Sequence, residues 1–203
     1  MDFRFGGDDV RILADEEIWH GYFTMRAVTV QHRLFAGGWS QALRREVFER
    51  GSSVGVLLYD PERDELVMLE QFRAGSLADP ETPWMLELVA GIVEPDESDE
   101  DVARREALEE AAIEVRDMEP IASFYPSAGA CTEHVRLFVG RVSAQGAGGI
   151  HGCVDEGEDI RVHVMARETV LDYLARGRIV NGHTLIALQW LQIHGEALRR
   201  RWL

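Results

Sequence analysis

Two runs, Gly91-Ile-Val-Glu-Pro-Asp-Glu97 and Arg105-Glu-Ala-Leu-Glu-Glu-Ala-Ala-Ile113, stand seven residues apart. The second crowds three carboxylates, Glu106, Glu109 and Glu110, onto one turn of a helix, where positions three and four apart are neighbours. Like charges at that spacing destabilise an isolated helix. A folded chain keeps them most readily with a cation between the oxygens. Hard oxygen ligands suit Mg²⁺ or Mn²⁺, which takes one or two carboxylates together with substrate phosphates. Ser98 or Asp99 caps this helix, and acids follow in its first turn, where the macrodipole favours them. The helix is expected to reach about Glu114, with Ala103, Ala107, Leu108, Ala111 and Val115 as its buried stripe, roughly opposite Glu106 and Glu110.

Met85–Ala90 reads as one strand leading into Gly91. Upstream, 54–59 and 66–73 flank a polar, Pro-containing connection and form a hairpin. Gly21–Val30 alternates as a strand, and Arg33–Phe48 holds one or two more around the Gly37-Gly38 turn. Further strands are expected near Ile121–Tyr125, Val135–Val142 and Ile160–Ala166. Between the last two, 144–159 is Gly-rich and then acidic, the composition of a mobile surface loop. Glu168–Ala175 is a short helix and 182–200 a longer, apolar one that must be well covered. The mixture is α/β or α+β.

The chain of 203 residues supports one sizeable core, and its 46% apolar fraction is ordinary for a globular protein. Its net charge of −15 argues against nucleic acid as a partner, because that binding rests on basic patches. No stretch approaches the apolar length of a membrane span, and the acidic N-terminus lacks a secretion-signal core. Cys131 and Cys153 make no disulfide framework, which favours a reducing cytoplasm. The seven histidines lack the i, i+4 spacing of a zinc helix. No Ser-His-Asp or Cys-His nucleophile is readable.

Gly91, Glu97, Arg105, Glu106, Glu109 and Glu110 together resemble the signature of the Nudix hydrolases: Gly, five residues, Glu, seven residues, Arg-Glu, two residues, Glu-Glu, one residue, Gly. Ala112 stands where the signature has its last Gly. The resemblance extends along the chain to the ADP-ribose pyrophosphatase branch, through Arg44-Arg-Glu-Val-Phe-Glu-Arg-Gly51, Glu70-Gln-Phe-Arg73, Glu87-Leu-Val-Ala-Gly91 and Gly149-Ile-His-Gly152. Ser127-Ala128-Gly129 replaces the branch's usual Ser-Pro-Gly. What the resemblance implies is an α/β/α sandwich of mixed sheets (51–203) and an N-terminal strand region (1–50) exchanged within a homodimer.

The implied activity is Mg²⁺-dependent hydrolysis of ADP-ribose to AMP and ribose 5-phosphate, with Mn²⁺ as a possible substitute. Another nucleoside diphosphate sugar, such as GDP-mannose, is the nearest alternative; a silent ADP-ribose sensor is a remoter one. Glu106 and Glu110 are read as metal ligands, joined through the resemblance by the Ala90 carbonyl and by Glu158. The resemblance places the catalytic base at Glu156, and the two loop acids could exchange roles. Glu97 and Arg105 are read as architecture, and Glu109 as either a metal ligand or a partner of Arg105. Arg45 and Arg73 are expected to meet phosphate or ribose, since guanidinium forks bind phosphate oxygens bidentately. Tyr22 and Phe23 resemble positions that sandwich the adenine. Glu46, Arg50, Ile92 and Glu133 resemble pocket-lining positions, and Ser127, Ala128 and Gly129 would offer backbone donors there.

Overall fold

From Ser53 to Asp60 every side chain is buried, so this stretch is a strand covered on both faces. The computed structural model describes residues 3–203 apart from the side chain of Glu156. The chain divides into two compact units, Met1–Ser52 with Tyr125–Glu133, and Ser53–Phe124 with His134–Leu203.

In the first unit β1 (Val10–His20), β2 (Thr24–His32) and β3 (Leu43–Glu49) form an antiparallel sheet in that order. The strand expected in Gly21–Val30 is β2, and Arg33–Phe48 yields one strand after its glycine turn. β1 was not foreseen. Its pairing shifts register at Ile12/Ala14 and Glu17/Trp19, and bulges of that kind break the period-two signal. Val10, Ile12, Leu13, Ile18 and Trp19 on this strand are exposed. Within the same unit the segment after Tyr125 bonds to β3, through Phe48 N–H to the Ala130 carbonyl and Thr132 N–H to the Phe48 carbonyl.

The second unit contains β4 (Ser52–Asp60) from its second residue onward, β5 (Glu65–Phe72), β6 (Trp84–Glu87), β7 (Val89–Ile92), α1 (Asp99–Ala111), β8 (Met118–Phe124), β9 (His134–Arg141), β10 (Gly149–His151), β11 (Ile160–Ala166), α2 (Arg167–Ala175) and α3 (Gly182–Trp202). Its sheet runs β10-β11-β5-β4-β9-β8, with β6 beside β5 and β7 beside β4. Val54, Val56 and Leu58 of β4 pack with Val102, Ala103, Ala107 and Ala111 of α1. Leu57 and Tyr59 turn to the opposite face and pack with Leu188, Leu191, Leu198 and Trp202 of α3. The result is a helix–sheet–helix layering, a mixed α/β fold as the resemblance implies. Among the described residues no helix is long and apolar enough to cross a membrane.

Three local expectations are corrected. Met85–Ala90 is not one strand. β4 and β5 pair only over Leu58–Asp60 and Glu65–Val67, then separate. The returning chain first pairs with β5 through Trp84–Glu87, then with β4 through Val89–Ile92. Leu88 lies at the changeover, and its N–H donates to Thr184 Oγ1 at 3.1 Å. The loop 144–159 is not free of structure either, since β10 pairs with β11.

The third correction concerns α1. It begins as read, with Ser98 Oγ accepting from Asp101 N–H, but stops at Ala111. Ala112 adopts the left-handed conformation, φ 52° and ψ 38°. Leu108 is exposed, Val115 lies buried beyond the helix, and Glu110 takes a place in the buried arc at 2% exposure. The signature glycine that Ala112 replaces thus falls where a Cβ is unwelcome. The left-handed conformation costs an L-residue about 1–2 kcal/mol, against about 0.4–1 kcal/mol for the freer unfolded chain of glycine. Ala112→Gly is therefore expected to stabilise the protein by about 0.5–1 kcal/mol, raising Tm by about 2–3 °C. Calorimetry showing an unchanged or lower Tm would contradict this account.

Candidate active site

β7 and α1 meet so closely that the Glu106 side chain fills the space a side chain at position 91 would take. A Cβ built on Gly91 would lie 1.8 Å from Glu106 Oε1, so glycine is what lets that carboxylate occupy its place. One helical turn later Glu110 Oε2 accepts the Ala90 N–H at 3.2 Å. The same strand segment therefore positions both carboxylates.

Arg105 holds the other side of the turn. Its Nε and Nη2 fork onto the two oxygens of Glu97 at 3.0 and 3.2 Å, tying the loop to the helix it precedes. Its Nη1 reaches Glu106 Oε1 at 2.8 Å and Glu109 Oε2 at 3.1 Å. Of the two readings of Glu109, the structure displays the contact with Arg105.

Burial pushes the Glu106 carboxyl up to about 7, with Glu109 and Glu158 adding repulsion and Arg105 opposing it. Burial, then the neighbouring Glu106 and Glu158, push Glu110 up to about 8. Two withdrawn carboxylates that prefer protons when alone are suited to a hard divalent cation, which would neutralise both. Among the described residues no three His, Cys, Asp or Glu side chains gather into a ready-made cage. The donor set fits a metal that takes its remaining ligands from the loop, the backbone, water and substrate, as Mg²⁺ does.

Glu158 stands within electrostatic reach of Glu106, Glu110 and Arg73. Its Oε2 accepts the Cys153 N–H at 2.9 Å. Gly152, with φ 107°, makes room for it: a Cβ there would lie 2.7 Å from Glu158 Cβ. Glu156 closes the single 3₁₀ turn Val154–Glu156, and its side chain, the expected base, lies outside the described residues.

Arg73 follows β5. Its Nε and Nη2 both donate to Glu87 Oε2, at 2.9 and 2.8 Å. Burial works against the Arg73 charge; Glu87 first, then Glu110 and Glu158, hold it on. Glu87 is 1% exposed and had no role in the sequence reading. The clue to it was a lone acid in an otherwise apolar strand. Ile92 ends β7, paired with Ser53.

The remaining expected residues belong to the first unit. Tyr22 is 85% exposed and meets Phe23 edge-on at 4.7 Å. Phe23 packs on Phe48, and the Arg50 guanidinium lies over its ring. Arg50 Nη1 pairs with Glu133 Oε1. Arg45 and Glu46 are exposed: Arg45 Nη1 bonds the Arg44 carbonyl, and Glu46 faces the Arg44 guanidinium at 3.4 Å. In the turn Ser127, Ala128, Gly129 the Ser127 carbonyl accepts from Ala130 and Cys131 N–H.

The model of the NUDIX domain matches residues 49–185, about two thirds of the sequence. The chain belongs to the NUDIX domain family. This NUDIX chain is 48% identical over 202 residues to an ADP-ribose pyrophosphatase of Escherichia coli (strain K12), covering 100% of this chain and 97% of the relative. It is 41% identical to an ADP-ribose pyrophosphatase of Haemophilus influenzae, covering 98% and 93%. A GDP-mannose pyrophosphatase of Enterobacter sp. (strain 638) is 31% identical over 92% of this chain and 96% of its own. A crystal structure of an ADP compounds hydrolase superposes with a TM-score of 0.70 at 16% identity, covering 94% of this chain and 96% of the other. That likeness shows a shared fold.

Proposed function

We propose that this NUDIX enzyme hydrolyses ADP-ribose to AMP and ribose 5-phosphate, using Mg²⁺. The pairing of half-buried Glu106 with buried Glu110, seated on Gly91 and Ala90, is the observation that carries this reading. Full-length similarity to ADP-ribose pyrophosphatases supports the substrate.

Glu106 and Glu110 would hold the metal, together with the Ala90 carbonyl and Glu158. When bound, a divalent ion neutralises a diphosphate and lowers the pKa of water. Glu156 is assigned as the base that takes a proton from the attacking water. The water oxygen bonds to phosphorus as the bridging P–O bond breaks, and the bridging oxygen leaves on the other phosphate. Arg73 is assigned to the diphosphate. Tyr22, Phe23, Arg45, Glu46, Arg50, Ile92, Ser127, Ala128, Gly129 and Glu133 are assigned to binding the rest of the substrate. We assign 1–50 to dimerisation and 51–203 to the hydrolase. The exposed apolar side chains of β1 favour a second copy as partner. A reducing cytoplasm suits the two free cysteines.

The GDP-mannose pyrophosphatase relatives favour the same chemistry on GDP-mannose as the second reading. A panel of nucleoside diphosphate sugars with magnesium, followed by product analysis, separates the two. AMP release from ADP-ribose should exceed turnover of every other sugar. Equal or faster turnover of GDP-mannose would overturn the first reading.

A further inference from the structure

Asn181 is the N-cap of α3, and its side chain does two things at once. Its Oδ1 accepts from Thr184 N–H at 3.0 Å and from Thr184 Oγ1 at 3.0 Å. A backbone N–H only donates, so Oδ1 must face it, and this fixes the amide orientation. Nδ2 is thereby turned to Glu87 Oε1, at 3.0 Å. The other oxygen of Glu87 takes the Arg73 fork and, more distantly, Gln71 Nε2 at 3.5 Å. The Thr184 hydroxyl in turn receives the N–H of Leu88, where the chain passes from β6 to β7 and on to Ala90.

For capping alone, serine or aspartate would serve as well as asparagine. Aspartate would also suit the positive end of the helix. What asparagine adds is an NH₂ aimed at a carboxylate that is 1% exposed. A charge so buried is tolerated only when its lone pairs are occupied, and removing one donor loosens the arrangement. Arg73 has its Nε and Nη2 committed to that carboxylate, so the direction of its fork follows the setting of Glu87.

We propose that Asn181 and Glu87 are positioning residues that aim the Arg73 guanidinium at the substrate diphosphate, making the α3 N-terminus part of the site. This deepens the function proposed above and rests on it for the role of Arg73.

The test exchanges donor and acceptor. Asn181→Asp preserves the cap but sets a second carboxylate against Glu87. Glu87→Gln leaves an NH₂ facing either the NH₂ of Asn181 or the Arg73 fork. The double variant restores complementarity, with the new amide donating to the new carboxylate, and restores the total charge. The readouts are calorimetric affinity for inorganic pyrophosphate with magnesium, KM and kcat on ADP-ribose, and Tm. Each single change is expected to weaken pyrophosphate binding and raise KM about tenfold, with kcat changed less than about threefold. The double variant should return to within about threefold of the parent.

Parental affinity in both single variants, or additive losses in the double, would overturn the proposal. A merely structural role moves Tm without this reciprocal recovery. If a single variant fails to fold, the double alone decides: parental affinity supports the proposal, and about tenfold weaker affinity overturns it. Failure of the parent to release AMP from ADP-ribose would sink the substrate reading only. The pyrophosphate measurements would still decide the positioning role.

Discussion

Glu110→Gln is expected to cut turnover about a thousandfold while making the metal-free protein more stable. The two effects share a cause. Glu110 is a carboxylate held at 2% exposure beside Glu106, a position costly to charge unless a cation shares it. Losing one anionic ligand forfeits about 4 kcal/mol of transition-state stabilisation, which corresponds to about a thousandfold in rate. The amide oxygen can still accept the Ala90 N–H, so the strand–helix contact survives.

Without metal the sign reverses. A carboxyl whose folded pKa is raised contributes stability below its ordinary 4.5, and that contribution is lost as pH climbs through about 8. Metal-free parent protein should therefore weaken steadily across that window. The substitution should flatten the slope and gain about 2 kcal/mol at its alkaline end, a figure reduced because Glu106 shares the burden. Ligands must be deprotonated to bind metal, so magnesium should raise the parent Tm most at that same end. Steady-state kinetics and calorimetry in chelator check both halves. Near-parental turnover would contradict the metal assignment.

The signature helix was legible because its spacing is fixed by chemistry: a glycine that makes room, an arginine fork, and acids one turn apart. Its phase was not. Reading Leu108 as buried and Glu110 as facing away from the stripe follows from hydrophobicity, which cannot anticipate a carboxylate placed inside an apolar arc. The division at Leu88 escaped for a related reason. Met85–Ala90 is continuous in pattern, and only the separation of β4 from β5 decides that the chain changes partner there. β1 was hidden by its bulges. Asn181 and Glu87 were invisible as a pair, being far apart in sequence and joined by a single 3.0 Å contact.

Gly91→Ala is the converse test, expected to spare the fold and lower activity about a hundredfold. The backbone raises no objection, since Gly91 is not among the glycines with positive φ. The objection is the Glu106 side chain, whose Oε1, Cδ and Cγ would lie 1.8, 2.2 and 2.4 Å from the new Cβ. A flexible side chain can swing away at little cost in stability. Alanine also loses about 0.5–1 kcal/mol less entropy on folding than glycine. Tm should therefore change little. The carboxylate, however, leaves the position where it meets Glu110, and a displacement near 1 Å costs about a hundredfold in catalysis. Mn²⁺ titration followed by electron paramagnetic resonance should show weakened binding alongside the lost rate. Full activity with parental Mn²⁺ affinity would mean that Glu106 does its work from elsewhere, and that the contact between β7 and α1 is packing alone.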